Sequence, residues 1–400
     1  MDPKTRDSYL QRIENELRGN ILPFWLRHTV DRERGGFFGE ITNDLRVLRD
    51  AERGSLLSCR ILWTFSSAYR HYPQAEYLAM AHWAYADLMK VFWDHEHGGV
   101  TWSATADGKP LRTRKQIYGQ AFAIYAFTEY FRACGEKEAL EHAIEIFRLI
   151  EQHCRDPKHG GYFEAYTREW TLEEDVRLSA IDMNEPKSQN THLHVMEAYT
   201  NLMRVWPDAQ LRRAQTELLE VMTTRILDAR TYHLGLFFDN AWMPRTDRVS
   251  FGHDIEAAWL MHEAAAVLGD AGLLGRIRAI AVQIARVTHE QAIDPDGGLL
   301  YEADARGITV DIKEWWPQAE AAVGFLDAYQ ISGDETYLRL SLGLWDFIEA
   351  HLVDRANGEW FRCVTRERRV EGDQSKVSFW KCPYHNGRAC LELVDRLKTL

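Results

Sequence analysis

The 400-residue chain has no run of about eighteen apolar residues, the length a bilayer core demands, which argues against a membrane-spanning helix. Met1 to Gln11 is charged and lacks an apolar stretch, so no secretory signal is expected there. Cysteine is sparse: six, at positions 59, 134, 154, 363, 382 and 390, with no C-x-x-C spacing. That pattern excludes a disulfide scaffold and a zinc knuckle. It leaves isolated thiols in a reducing, cytoplasmic compartment as the expectation. Positive charge is also short, 48 Lys and Arg against 60 Asp and Glu, for a formal net charge of -12. This balance disfavours nucleic acid and acidic membrane surfaces as partners. Neither G-x-G-x-x-G nor G-x-x-x-x-G-K-[ST] occurs, so dinucleotide and P-loop chemistry find no support. H-E-x-x-H is missing too, and no tight Cys/His cluster replaces it. Neither a cofactor nor a metal is expected.

What is present is a repeat. A phrase begins at Asp31 as Asp-Arg-Glu-Arg-Gly-Gly-Phe-Phe and returns at Asp94, Asp156, Asp294 and Asp354, with a looser copy from Asp228 to Phe238. Such a period marks a repeat architecture. The Asp is placed to cap a turn at a helix end, the glycines supply positive φ, and the residues that follow read as a short hairpin strand. Between phrases the apolar residues recur at helical spacing. One set of helical cores includes Ile61–Tyr69, Ala121–Phe131, Leu193–Val205, Ile255–Leu268, Ala319–Tyr329 and Ala389–Leu397. Second helices follow over 75–93, 136–153, 209–228, 273–290 and 334–352, and an N-terminal helix runs over about 5–28. The first helix lacks a partner and the segment 385–400 lacks one too. Their pairing would close six helical hairpins into a ring, in preference to an open solenoid with capping repeats. The expectation is an all-α, closed (α/α)6 barrel with short β-hairpin loops, spanning residues 1–400 as one domain.

Alternate helices carry reactive side chains near their N-terminal ends. These are Arg60, Tyr118, Asn190 with His194, His253 with Glu256, Trp316 with Glu320, and His385. In a ring of parallel inner helices these ends meet at one mouth. Asn190/His194 and Trp316/Glu320 are four apart and His253/Glu256 three apart, so each pair shares a face and a carboxylate can fix an imidazole tautomer. Any one of these is easily a satisfied core group, but six in register are not. His192 and His194 look like a metal pair, yet on a helix they point about 200° apart. Trp316 and Trp380 stand among carboxylates, an Arg and an Asn, a set that suits a neutral, polyhydroxylated ligand. Two chemistries fit a sugar. Glycoside hydrolysis would draw two carboxylates from Glu256, Glu320 and Asp182. Proton abstraction beside a carbonyl would use histidines, which titrate near neutral pH, and His194, His253 and His385 favour it.

Five stretches carry a family resemblance: Ser58-Cys-Arg-Ile-Leu-Trp, Asn190-Thr-His-Leu-His, Ser250-Phe-Gly-His-Asp-Ile-Glu, Trp315-Trp-Pro-Gln-Ala-Glu and Phe379-Trp-Lys-Cys-Pro-Tyr-His-Asn. In this order the chain resembles the N-acylglucosamine 2-epimerase superfamily and, within it, the cellobiose 2-epimerases. The resemblance implies an (α/α)6 barrel and cofactor-independent C2 epimerisation of the reducing-end glucose of a β-1,4-linked disaccharide, such as cellobiose to glucosyl-mannose or lactose to epilactose. It also implies an aldose–ketose side activity. His253 and His385 match the two acid/base histidines. His194 and Arg60 match the groups that hold O1 and O2 of a cis-enediolate. Glu256 and Glu320 match carboxylates that position the histidines or assist ring opening. Trp316 and Trp380 match stacking residues; Tyr118, Asp182 and Asn190 match further pocket residues. Cys382 stands where close members carry glycine, a departure expected to alter the pocket rim. The alternative within the superfamily is an epimerase or isomerase of a free monosaccharide, mannose or glucose or an N-acylhexosamine. The expected partner is a small sugar, with the chain a monomer or weak homodimer.

Overall fold

The computed structural model describes residues 1–372 and 374–400. Among them, helices alternate between an outer and an inner layer. The outer helices are α1 (Pro3–Glu16, continuing through Leu17–Ile21 to Leu22–His28), α3 (Ala75–Asp87, extended by Leu88–Phe92), α5 (Lys137–His153), α7 (Ala209–Val221, extended by Met222–Ile226), α9 (Ala271–Ala292) and α11 (Glu335–His351). The inner helices are α2 (Ser55–His71), α4 (Ile117–Cys134), α6 (Gln189–Met203), α8 (Phe251–Leu268), α10 (Trp315–Ser332) and α12 (Tyr384–Lys398). Each inner helix packs on the next, α12 packs on α2, and α1 packs on α12, so the ring closes as the lone first and last helices implied.

Layer position explains sequence pattern. Outer helices such as α5 bury one stripe, Ala139, Ala143, Ile146, Phe147 and Ile150. Inner helices are enclosed on every side: α4 buries every residue from Ile117 to Tyr130. A helix apolar all round has no amphipathic signal at its start. For this reason the inner helices begin four to six residues before the apolar periodicity becomes legible, and the reactive side chains lie within their first two turns. In α1 the wide turn at Leu17–Ile21 precedes Pro23. A proline ring cannot donate to, and clashes with, the carbonyl four residues back, and a widened turn relieves both conflicts.

The Asp phrases form the turns that leave the outer helices. In the first, the Asp31 carboxylate accepts from the Glu33 and Arg34 amides at 3.0 Å, and Gly35 and Gly36 adopt φ of 85° and 70°. The flanking hairpin is shorter than expected, a single antiparallel bridge such as Val30 to Phe37 or Trp93 to Val100. Most of the true ladders instead link successive repeats. The strand before an inner helix pairs with one from the following loop, as Lys115–Gln116 does with Ala165–Tyr166 and Lys187–Ser188 with Phe237–Phe238. Ser375–Val377 pairs with Ile41–Thr42 and seals the ring. Buried lysines pin these ladders: Lys115 to Asp94 at 2.9 Å, Lys187 to Asp156 at 2.7 Å, Lys313 to Asp294 at 2.8 Å and Lys376 to Asp354 at 2.6 Å. Each lysine is fully buried against the carboxylate of a phrase Asp; Lys115 and Lys187 also donate to a turn carbonyl, Gly98 O at 2.7 Å and Gly160 O at 2.9 Å. No helix among the described residues is long and apolar enough to cross a membrane.

Candidate active site

All six inner helices begin at the same end of the ring, and a cavity of about 620 Å³ opens there. Its lining includes Arg60, Tyr118, Asn190, His194, His253, Glu256, Trp316, Trp380 and His385. Asp182 also lines it, from the loop 176–185, where its carboxylate accepts from the Ser179 amide at 2.8 Å and hydroxyl at 2.7 Å. Glu320 lies directly behind the wall. Tyr118, Asn190, Trp316 and His385 each occupy the second position of an inner helix; Arg60, His194, Glu256 and Glu320 each occupy the sixth. Side chains of both the first and the second turns thus reach the cavity, and of these Glu320 stands behind its wall.

His253 and His385 both lie against the Trp316 indole, at ring-centroid distances of 4.7 and 5.5 Å. Trp316 is held by its own N–H on Glu314 at 3.1 Å. It reaches this position because residue 252 is glycine: a Cβ there would come within 2.6 Å of the indole. His385 Nδ1 meets Glu320 Oε1 at 2.7 Å, with Glu256 Oε1 farther off at 3.9 Å. His253 differs from expectation. Its Nδ1 meets the Ser250 hydroxyl at 2.9 Å, not a carboxylate, although Glu256 is three residues on. The reason is that Glu256 turns to the Arg388 guanidinium, 2.7 Å away. For both imidazoles, with Nδ1 engaged, Nε2 is the nitrogen available to a ligand.

Sequence reasoning missed Arg388 and Glu197. Arg388 donates to Glu256 and Glu320 at 2.7 Å each and to Glu197 and the Tyr384 hydroxyl. Glu197 also accepts from Tyr384 and pairs with His194 Nδ1 at 2.8 Å. The signal was available: Glu197 and Arg388 stand three residues after His194 and His385, the same-face spacing used for His253 and Glu256. Arg60 bonds the Tyr118 hydroxyl at 2.7 Å and the Trp380 carbonyl at 3.2 Å and lies over Phe122 at 4.3 Å. Trp380 stands beside Trp102 and Tyr118, with centroids 6.1 and 6.0 Å away. Cys382 is fully buried, its sulfur 3.8 Å from Arg60, so it lies under the pocket and not at the rim.

The electrostatics follow from burial. Burial drives His253 down to about 3, with His194 acting in the same direction. His385 is held well below the ordinary imidazole value by burial and by Arg60 and Arg388. Burial and the neighbouring Glu320 push Glu256 well up, against the pull of Arg388. Burial raises Glu320 as well. Burial also acts to raise Glu197, but Arg388 and His194 outweigh it and hold the carboxyl at about 2. Three carboxylates around one guanidinium are in excess, and Glu197 keeps its charge while burial opposes ionisation of Glu256 and Glu320. Glu256, Glu320 and His385 bring ligand atoms within 4.8 Å of one another, a spacing open to a metal ion, but the Arg388 cation already bonds both carboxylates. His192 is structural: Nδ1 bonds Ser188 O at 2.7 Å and Nε2 accepts from the Tyr162 amide at 2.9 Å. Both its nitrogens are spent, so it is no partner of His194 in a metal pair.

The chain matches the sequence model of the family described as N-acylglucosamine 2-epimerase over residues 36–385. The cellobiose 2-epimerase of Bacteroides fragilis is 47% identical over 385 residues, 96% of this chain and 98% of that protein. Among solved structures, a sugar epimerase from a ruminal bacterium aligns with a TM-score of 0.93 at 38% identity, over 97% of this chain and 99% of its own. The cellobiose 2-epimerase of Spirochaeta thermophila aligns with a TM-score of 0.92 at 40% identity, over 99% and 98%. The fold and the histidine-lined cavity therefore define a sugar epimerase built on an (α/α)6 barrel. The chain belongs to the N-acylglucosamine 2-epimerase family.

Proposed function

We propose that the protein epimerises, at C2 and without a cofactor, the reducing-end glucose of a β-1,4-linked disaccharide such as cellobiose or lactose. The observation that carries this reading is the pair of imidazoles, His253 and His385, both against Trp316 in one cavity, each with Nδ1 engaged and Nε2 available. Depressed basicity keeps both rings neutral at physiological pH, the form that accepts a proton from carbon.

The reducing-end ring opens to the aldehyde, with Glu256 exchanging the O5 or O1 proton and Glu320 assisting from behind the wall. Burial raises both carboxyls, and Glu256 Oε2 has no protein partner among the described residues. One imidazole takes the C2 proton and the electron pair moves onto O1, giving a cis-enediolate. The Arg60 cation stabilises that charge inside a water-poor pocket. The other imidazole delivers a proton to the opposite face of C2, O1 returns to the aldehyde, and the ring closes as mannose. Glu320 orients His385 through Nδ1, and Ser250 does the same for His253. Trp380, Tyr118, Asn190 and Asp182 line the space for the second sugar. The whole ring, residues 1–400, acts as one catalytic domain, in the cytoplasm, as a monomer or weak homodimer.

Incubation with cellobiose, lactose, glucose, mannose and N-acetylglucosamine in heavy water tests the reading. Deuterium at C2 of the epimer of a disaccharide is expected. Exchange confined to a free monosaccharide would move the assignment to the monosaccharide enzymes. Release of monosaccharides from cellobiose would replace it with hydrolysis.

A further inference from the structure

The sixth phrase turn carries a glutamate where other copies carry glycine. Five residues after the Asp, the first three copies have Gly36, Gly99 and Gly161, at φ of 70°, 71° and 74°; the sixth has Glu359, at 61°. A β-carbon is sterically strained in this left-handed region, and such a residue persists where its surroundings over-determine it. In the second and third copies a side chain has no room: a Cβ at Gly99 would meet Gln120 Oε1 at 2.6 Å, and one at Gly161 would meet His192 Nε2 at 2.6 Å. Gln120 and His192 are the fourth residues of α4 and α6. The fourth residue of α12 is Gly387, which carries no side chain to meet residue 359. The Glu359 carboxylate is fully buried and pairs with Lys381, itself fully buried. It also accepts from Asn386 Nδ2, at 2.8 and 2.9 Å. These two partners directly follow Trp380 and His385 in the chain. Asn386 is present for its donors, since its Oδ1 has no partner among the described residues. The stretch between the partners has few bonds of its own. Residues 378–383 form neither helix nor strand and are closed by Ser378, whose amide donates to Lys381 O and whose hydroxyl accepts from Lys381 N, each at 3.0 Å. No side chain caps the start of α12. Glu359 is tied on its other side to α1: its amide donates to Asn20 Oδ1 at 2.8 Å, and Asn20 donates to Glu16 Oε1 at 2.7 Å.

We propose that Glu359 is a positioning residue for the reaction, joining the first helix to the segment that bears Trp380 and His385. The inference rests on the epimerase reading. One arm runs through Lys381 and holds the indole; the other runs through Asn386 and holds the imidazole. The turn itself would be relaxed with glycine. It keeps a strained glutamate because only a side chain reaches both arms. Glu359 touches no substrate and acts through its two partners.

The test is the double variant E359G/K381M. Glycine gives the turn the residue of the other copies, and methionine removes the lysine charge, so no buried ion is left alone. Replacing a buried ion pair by apolar groups is often neutral, and the variant is expected to melt within about 5 °C of the wild type. Hydrogen exchange over 378–386 should quicken about tenfold or more, while α2 and α4 keep their protection. KM for cellobiose should rise and kcat fall, together lowering kcat/KM about a hundredfold. Asn386→Ala keeps the ion pair and cuts one arm. Its kcat should fall about tenfold, with KM within about twofold and an unchanged melting temperature. A purely structural role would move kcat and the melting temperature together and leave KM alone in both variants. Unchanged exchange over 378–386, unchanged kcat/KM in the double variant, or a kcat loss in Asn386→Ala that tracks its melting temperature overturns the proposal. If the double variant does not fold, Asn386→Ala decides by the same readouts. If the wild type exchanges no hydrogen at C2 of any sugar, the epimerase reading itself has failed, and exchange over 378–386 still decides whether Glu359 holds the segment.

Discussion

The two ends of the inner ring are both lined with charged groups, and they are not alike. At the C-terminal end of the inner helices a cavity of about 190 Å³ is lined by Arg70, Arg132, Arg204, His71, Glu129, Glu263 and Asp395. There the charges cancel locally: Arg70 and Arg132 on Glu129 at 2.6 and 2.8 Å, Arg204 on Glu263 at 2.5 Å, His71 on Asp395 at 2.9 Å. Among the described residues, Trp63 Nε1 is a donor of that cavity with no partner. At the N-terminal end the groups are also paired, but unevenly. Among the described residues, Glu256 Oε2, Asn190 Oδ1 and Arg60 Nε have no protein partner. Buried polar groups by themselves mark only a satisfied core. Unspent donors and acceptors converging on a larger cavity, beside imidazoles of shifted basicity, mark a site.

The contrast can be broken by substitution. His253→Ala and His385→Ala should each lower C2 deuterium exchange about a thousandfold or more while the circular dichroism of the fold persists. Near-normal exchange in either variant would show that the N-terminal cavity owes its chemistry to other groups. Trp380→Ala should come next, raising KM for cellobiose about tenfold, a loss of roughly 1.4 kcal/mol. The same variant should raise KM for glucose less, because the indole is assigned to the second sugar; equal effects on both substrates would remove that assignment.

The pH profile sharpens the comparison from another side. His253 is lowered to about 3, so it stays neutral as pH falls below the 6.5 of an ordinary imidazole. The acid limb of kcat/KM should therefore lie below 6.5, with activity held as pH falls from 7 to 5. Half-loss close to 6.5 would mean that the ring is hydrated and ordinary. The smallest effect belongs to the other end. Arg204→Met breaks a partly exposed ion pair and should cost about 1 kcal/mol or less in guanidinium unfolding. Cellobiose turnover should change less than about twofold, as expected of a remote surface site. A large loss of activity there would mean that the far cavity takes part in catalysis.

Much of the fold was legible because its signals are local. The Asp phrase needs only its own turn, and that turn recurs at each exit from the outer layer, with Tyr232 and Glu359 at positive φ in the two copies that lack the glycine pair. Periodicity located the helices but blurred the inner starts, where burial on every face erases it. The hairpin expectation was half right. The phrase closes a single bridge, while the ladders run between repeats and are pinned by buried lysines that pattern reading had passed over. For the site, the residues foreseen line the cavity or stand directly behind it. What went astray was pairing. His253 turned to Ser250, and Glu256 to Arg388.

The sequence by itself determined the number of repeats and the helix ends that bear the chemistry, because each depends on spacing along one segment; closure of the ring followed from the unpaired first and last helices. Only the tertiary structure decided who bonds to whom in the pocket. His385 finds Glu320 across 65 residues of chain, and Arg388 finds Glu197 across 191. Such partners come from different helices, and their choice depends on distance and on the cost of leaving a charge unpaired in a dry interior. The same constraint keeps Glu197 an ionised acceptor and engages His194 through Nδ1.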